Sequence, residues 1–155
     1  GGRRNIGFLG SVSDDAPEFL ERWTGYQRAL REAGVDQSPQ LRIDAGPSED
    51  AGRNAALKLL SQGVAFDGIF ATSDLAAIGA MRALHEAGID VPKEVSIVGY
   101  DDLAAARMAE PAITTIAQDT KLAGETLVET LIAKIEEHAP ESVLLPVRLV
   151  VRGSS

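Results

Sequence analysis

The residues of this chain best suited to chemistry are polar and follow short apolar runs. Gly99, Tyr100, Asp101 and Asp102 come after the β-branched run Val95 to Val98, and Thr72, Ser73 and Asp74 come after Asp67 to Ala71. Arg22 opens the stretch RWTGY, downstream of the apolar Asn5 to Gly10. A guanidinium presents a planar fork of donors, and a carboxylate accepts from neighbouring hydroxyls. Together they can hold vicinal hydroxyls or a carboxylate, which is binding chemistry. His85 and His138 stand near helix ends without an evident Ser or Cys partner, so no nucleophilic triad is expected. GxGxxG, P-loop and zinc spacings do not occur, and there is no cysteine to form a disulfide, a thiolate metal site or a Cys nucleophile. No enzymatic activity, cofactor or metal is expected.

Such groups need a scaffold that gathers strand ends. Asn5 to Gly10 reads as a buried strand. Asp15 and Glu18 then resemble a capping box, with Pro17 in the first turn, for a helix carrying Phe19, Trp23, Tyr26, Leu30 and Ala33 and stopped by Gly34. Leu41 to Ile43 is a short strand. Ser48 or Asp50 caps a helix to about Gln62, ended by Gly63. Asp67 to Ala71 is the next strand. Ser73 or Asp74 caps a helix through Leu75, Ile78, Met81 and Leu84, ended by Gly88, and Val95 to Val98 is a fourth strand. This alternation predicts parallel βαβ units with right-handed crossovers. Ligands of open α/β sheets sit beyond the carboxyl ends of the strands, where these polar groups fall. The near copies ALREAGVD (29–36) and ALHEAGID (83–90) reflect either an internal repeat or the same geometry at two helix ends. The rhythm then changes. Ala112 to Ala117 is a strand, and Gln118 to His138 a long helix with a stripe of Leu127, Val128, Leu131 and Ile135. Val143 to Val151 is a β-rich run broken by Pro146, which suits an edge or crossing segment.

At 155 residues, with 45% hydrophobic and 25% charged residues, the chain is long enough for one domain with a sizeable core. The net charge is -8 and the basic residues are scattered, so the chain by itself is not expected to grip nucleic-acid phosphates. No segment is apolar and long enough to span a bilayer, and no signal peptide opens the chain, whose start reads Gly1-Gly2-Arg3-Arg4. A cytoplasmic location is expected.

Five motifs form an ordered set: RWTGY (22–26), TSD followed by AAIGAMRAL (72–84), GYDD (99–102), TTIAQD (114–119) and LLPVRLVVR (144–152). In this order the chain resembles the C-terminal half of the effector-binding region of the lactose/galactose repressor family of bacterial transcription regulators. The resemblance implies a periplasmic-binding-protein-like fold, in which two flavodoxin-like α/β subdomains are joined by three crossing strands and a sugar or purine lies in the cleft. Residues 1–112 would form the C-terminal subdomain. Residues 113–142 would be a crossing strand and a helix belonging to the other subdomain, and 143–155 a return strand. The implied function is a small-molecule sensor, most simply for a sugar, that controls operator DNA binding allosterically. It would act as a homodimer, through a DNA-binding headpiece outside this chain and with no membrane partner. The sugar-binding protein of a transporter shares the fold and is the alternative.

By position the resemblance makes Arg22 and Asp101 effector contacts. Otherwise they would be a surface arginine and a turn or cap aspartate, a role that suits Asp102. Ser73 stands where family members often have Asn, and is either a contact or a plain N-cap. Asp14 and Asp15 either reach the cleft mouth or, by default, are solvated loop carboxylates. Trp23 is either a ligand platform or core, and Thr120 stands where the family's namesake has a ring. Gln118 and Asp119 mark a crossing strand's exit. The expected dimer surface is the helix face of Ala76, Ala80, Met81 and Leu84 together with Ala105 and Met108.

Overall fold

A computed structural model describes residues 2–13 and 16–155. In chain order the elements are β1 (Ile6–Leu9), α1 (Pro17–Glu32), β2 (Arg42–Ile43), α2 (Glu49–Ser61), β3 (Gly68–Ala71) and α3 (Asp74–Glu86). They continue with β4 (Ser96–Tyr100), α4 (Ala104–Met108), β5 (Thr114–Gln118), α5 (Thr120–Ile135) and β6 (Val147–Val150). The described strands form one six-stranded sheet in the order β2-β1-β3-β4-β5-β6. β1 to β5 pair in parallel, and β6 pairs antiparallel with β5 at the edge. Pro146, just before β6, fits that edge position. The chain runs from β1 outward to β2, then crosses to β3 on the other side of β1, which places the topological switch point between β1 and β3.

Side-chain oxygens start three helices. Ser48, Ser73 and Asp119 each accept from an amide three residues on, in α2, α3 and α5. At α1 the expected capping box does not form the start: Ala16 holds the N-cap position with no side-chain cap, and Pro17 begins the helix. Asp14 and Asp15 lie outside the described residues. Two other boundaries differ. Leu41 closes a 3-10 turn, leaving only Arg42–Ile43 as strand, and Gln118 ends β5 instead of starting the helix.

The near-identical segments close their helices in the same way. Gly34 and Gly88 have φ of +62° and +77°, and the next amides, of Val35 and Ile89, each reach back 2.9 Å to Leu30 and Leu84 carbonyls. This six-to-one bond with a left-handed glycine is the Schellman stop. Shared geometry therefore suffices to explain the shared residues.

α1 covers one face of the sheet through Phe8, Tyr26 and Leu30. The other face carries the larger core, where Leu9, Ile69 and Ile97 of the strands meet α2 and α3. α3 is buried on nearly every side because α2 lies against it at very short range. A Cβ on Gly52 would strike the Ala76 backbone, and one on Gly79 would strike the Glu49 carbonyl. Ala76, Ala80, Met81 and Leu84 are consumed by this packing. The dimer surface expected from them is corrected accordingly, since side chains facing α2 and the sheet cannot face a partner. Ala105 is exposed and Met108 is 85% exposed.

α5 contributes no residue to the core. Leu127, Val128, Leu131 and Ile135 stand exposed, Leu127 by 70%. Among the described residues, no helix is long and apolar enough to cross a membrane.

Two glycine substitutions should have opposite signs. Gly79→Ala forces α2 and α3 apart and should destabilise the fold by about 1–3 kcal/mol, as overpacking does. Gly124→Ala, in α5 with no atom within 4 Å of the added Cβ, should stabilise its helix by up to about 1 kcal/mol. Thermal and urea unfolding of the two variants would read the difference.

Candidate functional site

Arg22 lies on the second turn of α1, on the helix face that also carries Phe19 and Tyr26. Tyr26 is anchored in the core beside Phe8 and donates to the Ile6 carbonyl at 2.6 Å, so the helix cannot rotate. Burial raises the Tyr26 hydroxyl pKa to about 12, which keeps it a donor. Arg22 thereby projects over the carboxyl end of β3. Its Nη1 donates to the Thr72 carbonyl at 2.5 Å. Its guanidinium carbon lies 3.8 Å from the Tyr100 ring centroid and 4.9 Å from that of Phe19. Two aromatic faces and one carbonyl thus fix a cation whose side chain is only 15% exposed.

Asp101 follows β4 on the other side of Tyr100. Its Oδ1 stands 3.9 Å from Arg22 Nη2 and accepts from Gln118 Nε2 at 2.9 Å. At that separation the two charges attract without a direct hydrogen bond, so both keep capacity for a third party. Burial pushes the Asp101 carboxyl above the usual carboxylate range. Arg22 and Gln118 oppose that rise without cancelling it. A ligand hydroxyl donating to Asp101 would supply the missing compensation.

Asp102, the next residue, is driven the other way. Burial alone would raise its carboxyl, but Arg152 and Arg107 outweigh it and hold Asp102 below the usual range. Arg107 donates to both oxygens, to Oδ2 at 3.0 Å and to Oδ1 at 3.3 Å, and Arg152 shares Oδ1 while donating to the Ile113 carbonyl at 2.9 Å. Asp102 is therefore not the helix cap expected from its position: Leu103 holds the N-cap of α4, and Asp102 joins α4 to the segment after β6.

The other expected contacts separate. Ser73 is buried, and its hydroxyl accepts from Ala76 N at 3.2 Å, the plain N-cap of α3. Trp23 packs edge-on against Phe8 at 4.8 Å and under Arg42 at 5.3 Å, inside the aromatic cluster of β1. Thr120 starts α5 and lines a groove of about 400 Å³ with Asp102, Arg107, Gln118, Lys121 and Arg148. That groove lies on the β5–β6 side of the turn and includes neither Arg22 nor Asp101. Asp15 lies outside the described residues. Phe19, Tyr100 and Gln118 join the site without having been given an effector-site role from the sequence. Tyr100 directly precedes Asp101, a signal that was present, whereas the Gln118 contact depends on β5 lying beside β4. The site holds charged donors and acceptors over aromatic faces, which suits a polar ring bearing hydroxyls.

Comparison with known proteins agrees with this fold. The model of the periplasmic binding protein-like domain family matches residues 1–155. The chain is 35% identical over 155 residues to the HTH-type transcriptional regulator CelR of Thermobifida fusca, covering 99% of this chain and 45% of the relative. It is 36% identical over 115 residues to the HTH-type transcriptional regulator GalR of Escherichia coli, covering 74% and 33%. A solved CelR–cellobiose complex superposes with a TM-score of 0.93 at 35% identity, covering 99% of this chain and 47% of that one. The lac repressor dimer bound to operator and the anti-inducer ONPF superposes at 0.91 and 30% identity, covering 99% and 53%. The chain spans about half the length of the curated CelR relative.

Asp102 supplies a pH signature. Its folded pKa is depressed, so its stabilisation is present above the unfolded value near about 3.9 and is lost as pH falls through the folded value. Asp102→Asn should cost about 1–3 kcal/mol at neutral pH and remove that acid limb. Unfolding midpoints between about pH 2 and 7 would show it, and superimposable wild-type and variant acid limbs would refute it.

Proposed function

Since the chain belongs to the periplasmic-binding-protein-like family and is an effector-binding region of the lactose/galactose repressor type, we propose that it senses a sugar for a DNA-binding regulator. Arg22 and Asp101 are the principal effector contacts. The observation carrying this is the open pair at 3.9 Å, in which a desolvated carboxylate faces a guanidinium and neither is saturated. Adjacent ring hydroxyls can bridge it, donating to Asp101 and accepting from Arg22. Tyr100 and Phe19 pack against the guanidinium, and Gln118 ties Asp101 to β5, the strand that leads into α5. Thr120 lies in the neighbouring groove, where a second sugar unit would reach it. Ser73 is assigned to the helix cap.

In the full protein, α5 and its exposed apolar stripe cover a second subdomain. Effector then selects one closure of the two subdomains, and that closure sets how the headpieces meet operator DNA. The regulators among the relatives support this reading over a transport protein of the same fold. Leu103, Ala105 and Met108, on and beside α4, are the apolar groups left for a homodimer contact. A cytoplasmic location follows from operator binding.

Thermal-shift screening of the full-length protein against mono- and disaccharides, cellobiose included, identifies a ligand as the compound that raises the unfolding temperature. Arg22→Ala and Asp101→Asn should then weaken that ligand's release of operator DNA by roughly tenfold to a hundredfold while operator binding persists. Affinity should also fall with acidification through the raised Asp101 pKa, because bound hydroxyls favour its charged form, and Asp101→Asn should flatten that slope. Wild-type responses in both variants would place the pocket elsewhere.

Met108→Glu tests the dimer contact. It should shift the full-length protein toward monomer in light scattering at micromolar concentration, since a charge in an apolar contact is costly. An unchanged mass would reject this surface.

A further inference from the structure

Asp74, at the start of α3, is fully buried, and the effector contacts do not use it. Its two oxygens are both engaged. Oδ1 accepts from the Thr115 hydroxyl at 2.6 Å, and Oδ2 accepts from the Leu103 amide at 2.7 Å. Thr115 Oγ1 in turn accepts from the Asp102 amide at 3.3 Å, and the Asp101 amide donates to the Ile116 carbonyl at 2.9 Å. Three successive amides, of residues 101 to 103, are therefore held by β5 and Asp74. The turn they belong to needs holding, because Asp101 and Asp102 have φ of 109° and 57°, which side-chain-bearing residues seldom adopt. The carboxylate also fills the space that a Cβ on Gly99 would enter. No residue but glycine fits there without displacing it.

We propose that Asp74 is a positioning residue for effector binding: its carboxylate and Thr115 lock the Asp101–Asp102 turn so that Asp101 faces Arg22. This rests on the reading of Asp101 as an effector contact. Asp74 touches no ligand and acts through the turn. Asparagine can keep both bonds, accepting from Leu103 and donating to Thr115 Oγ1. Alanine can keep neither.

Amide hydrogen exchange of this chain, followed by NMR without any ligand, tests the lock. The quantity read is the exchange rate of Leu103 relative to that of Ile69 in the central strand β3. In Asp74→Ala this ratio should rise at least about tenfold, because a turn that has lost its acceptor opens locally. Asp74→Asn should stay near wild type. Thr115→Val should raise the corresponding ratio for Asp102, and Thr115→Ser should restore it. Leu59→Ala, a core cavity remote from the turn, should destabilise the whole fold and raise neither ratio. That separates positioning from general stability. An unchanged Leu103 ratio in Asp74→Ala overturns the inference, whatever Asp101→Asn does to effector response. A raised ratio alongside a normally responding Asp101→Asn variant overturns the assignment of Asp101 to the effector, leaving Asp74 a brace of the turn alone.

Discussion

The site depends on a turn that the backbone resists. β4 delivers its last residue to the rim of the sheet, and the next two residues, both aspartates, adopt positive φ. Each costs about 1 kcal/mol or more in isolation, so the surroundings must over-determine the conformation. They do so from three directions. β5 and Asp74 take the amides from below, Arg107 takes the Asp102 carboxylate from α4, and Arg152 takes it from the segment beyond β6. Removing any one of them loosens a geometry that the others alone hold less well.

Neighbouring carboxylates on this turn have opposite electrostatic fates. Asp101 is desolvated, with its guanidinium at 3.9 Å, and its carboxyl is raised. Asp102 is also desolvated but contacts two arginines directly, and its carboxyl is depressed. Two like residues, one position apart, are thus divided into one that is structurally satisfied and one that keeps unspent capacity. Such a divergence of environment separates roles in binding and catalytic sites generally. Asp74, raised by burial despite its two hydrogen bonds, stands behind both.

The sheet divides its labour between its faces. α2 and α3 meet through glycines so closely that their interface is nearly backbone on backbone, and ion pairs Arg53–Glu86 and Arg82–Glu49 close its rim. Burial there supplies the rigid platform from which β3 and β4 reach the site. α5 has no such support. Its exposed apolar stripe marks surface that this chain does not cover.

The amino-acid sequence by itself determined the order of the six strands and of α1, α2, α3 and α5, because apolar periodicity, side-chain caps and left-handed glycine stops are local signals; the five-residue α4, whose N-cap is Leu103, carries none of them. Arg22 and Asp101 became candidates through the family resemblance of their motifs, since a place near a strand's carboxyl end is equally that of a surface arginine or a turn aspartate. Boundaries at Leu41, Ala16 and Gln118 were not legible, because a 3-10 turn, an uncapped helix start and a strand's last residue differ only through tertiary hydrogen bonds. Nor was the burial of Ala76, Ala80, Met81 and Leu84: a small-residue face reads alike whether its neighbour is a partner chain or the chain's own α2. The roles of Asp74 and Gln118, and the contact of Asp102 with Arg152, rest on partners 17 to 50 residues away. Such contacts exist only once the strands have paired, so tertiary structure alone could decide which acid keeps open capacity, which braces the turn and which joins it to the segment after β6.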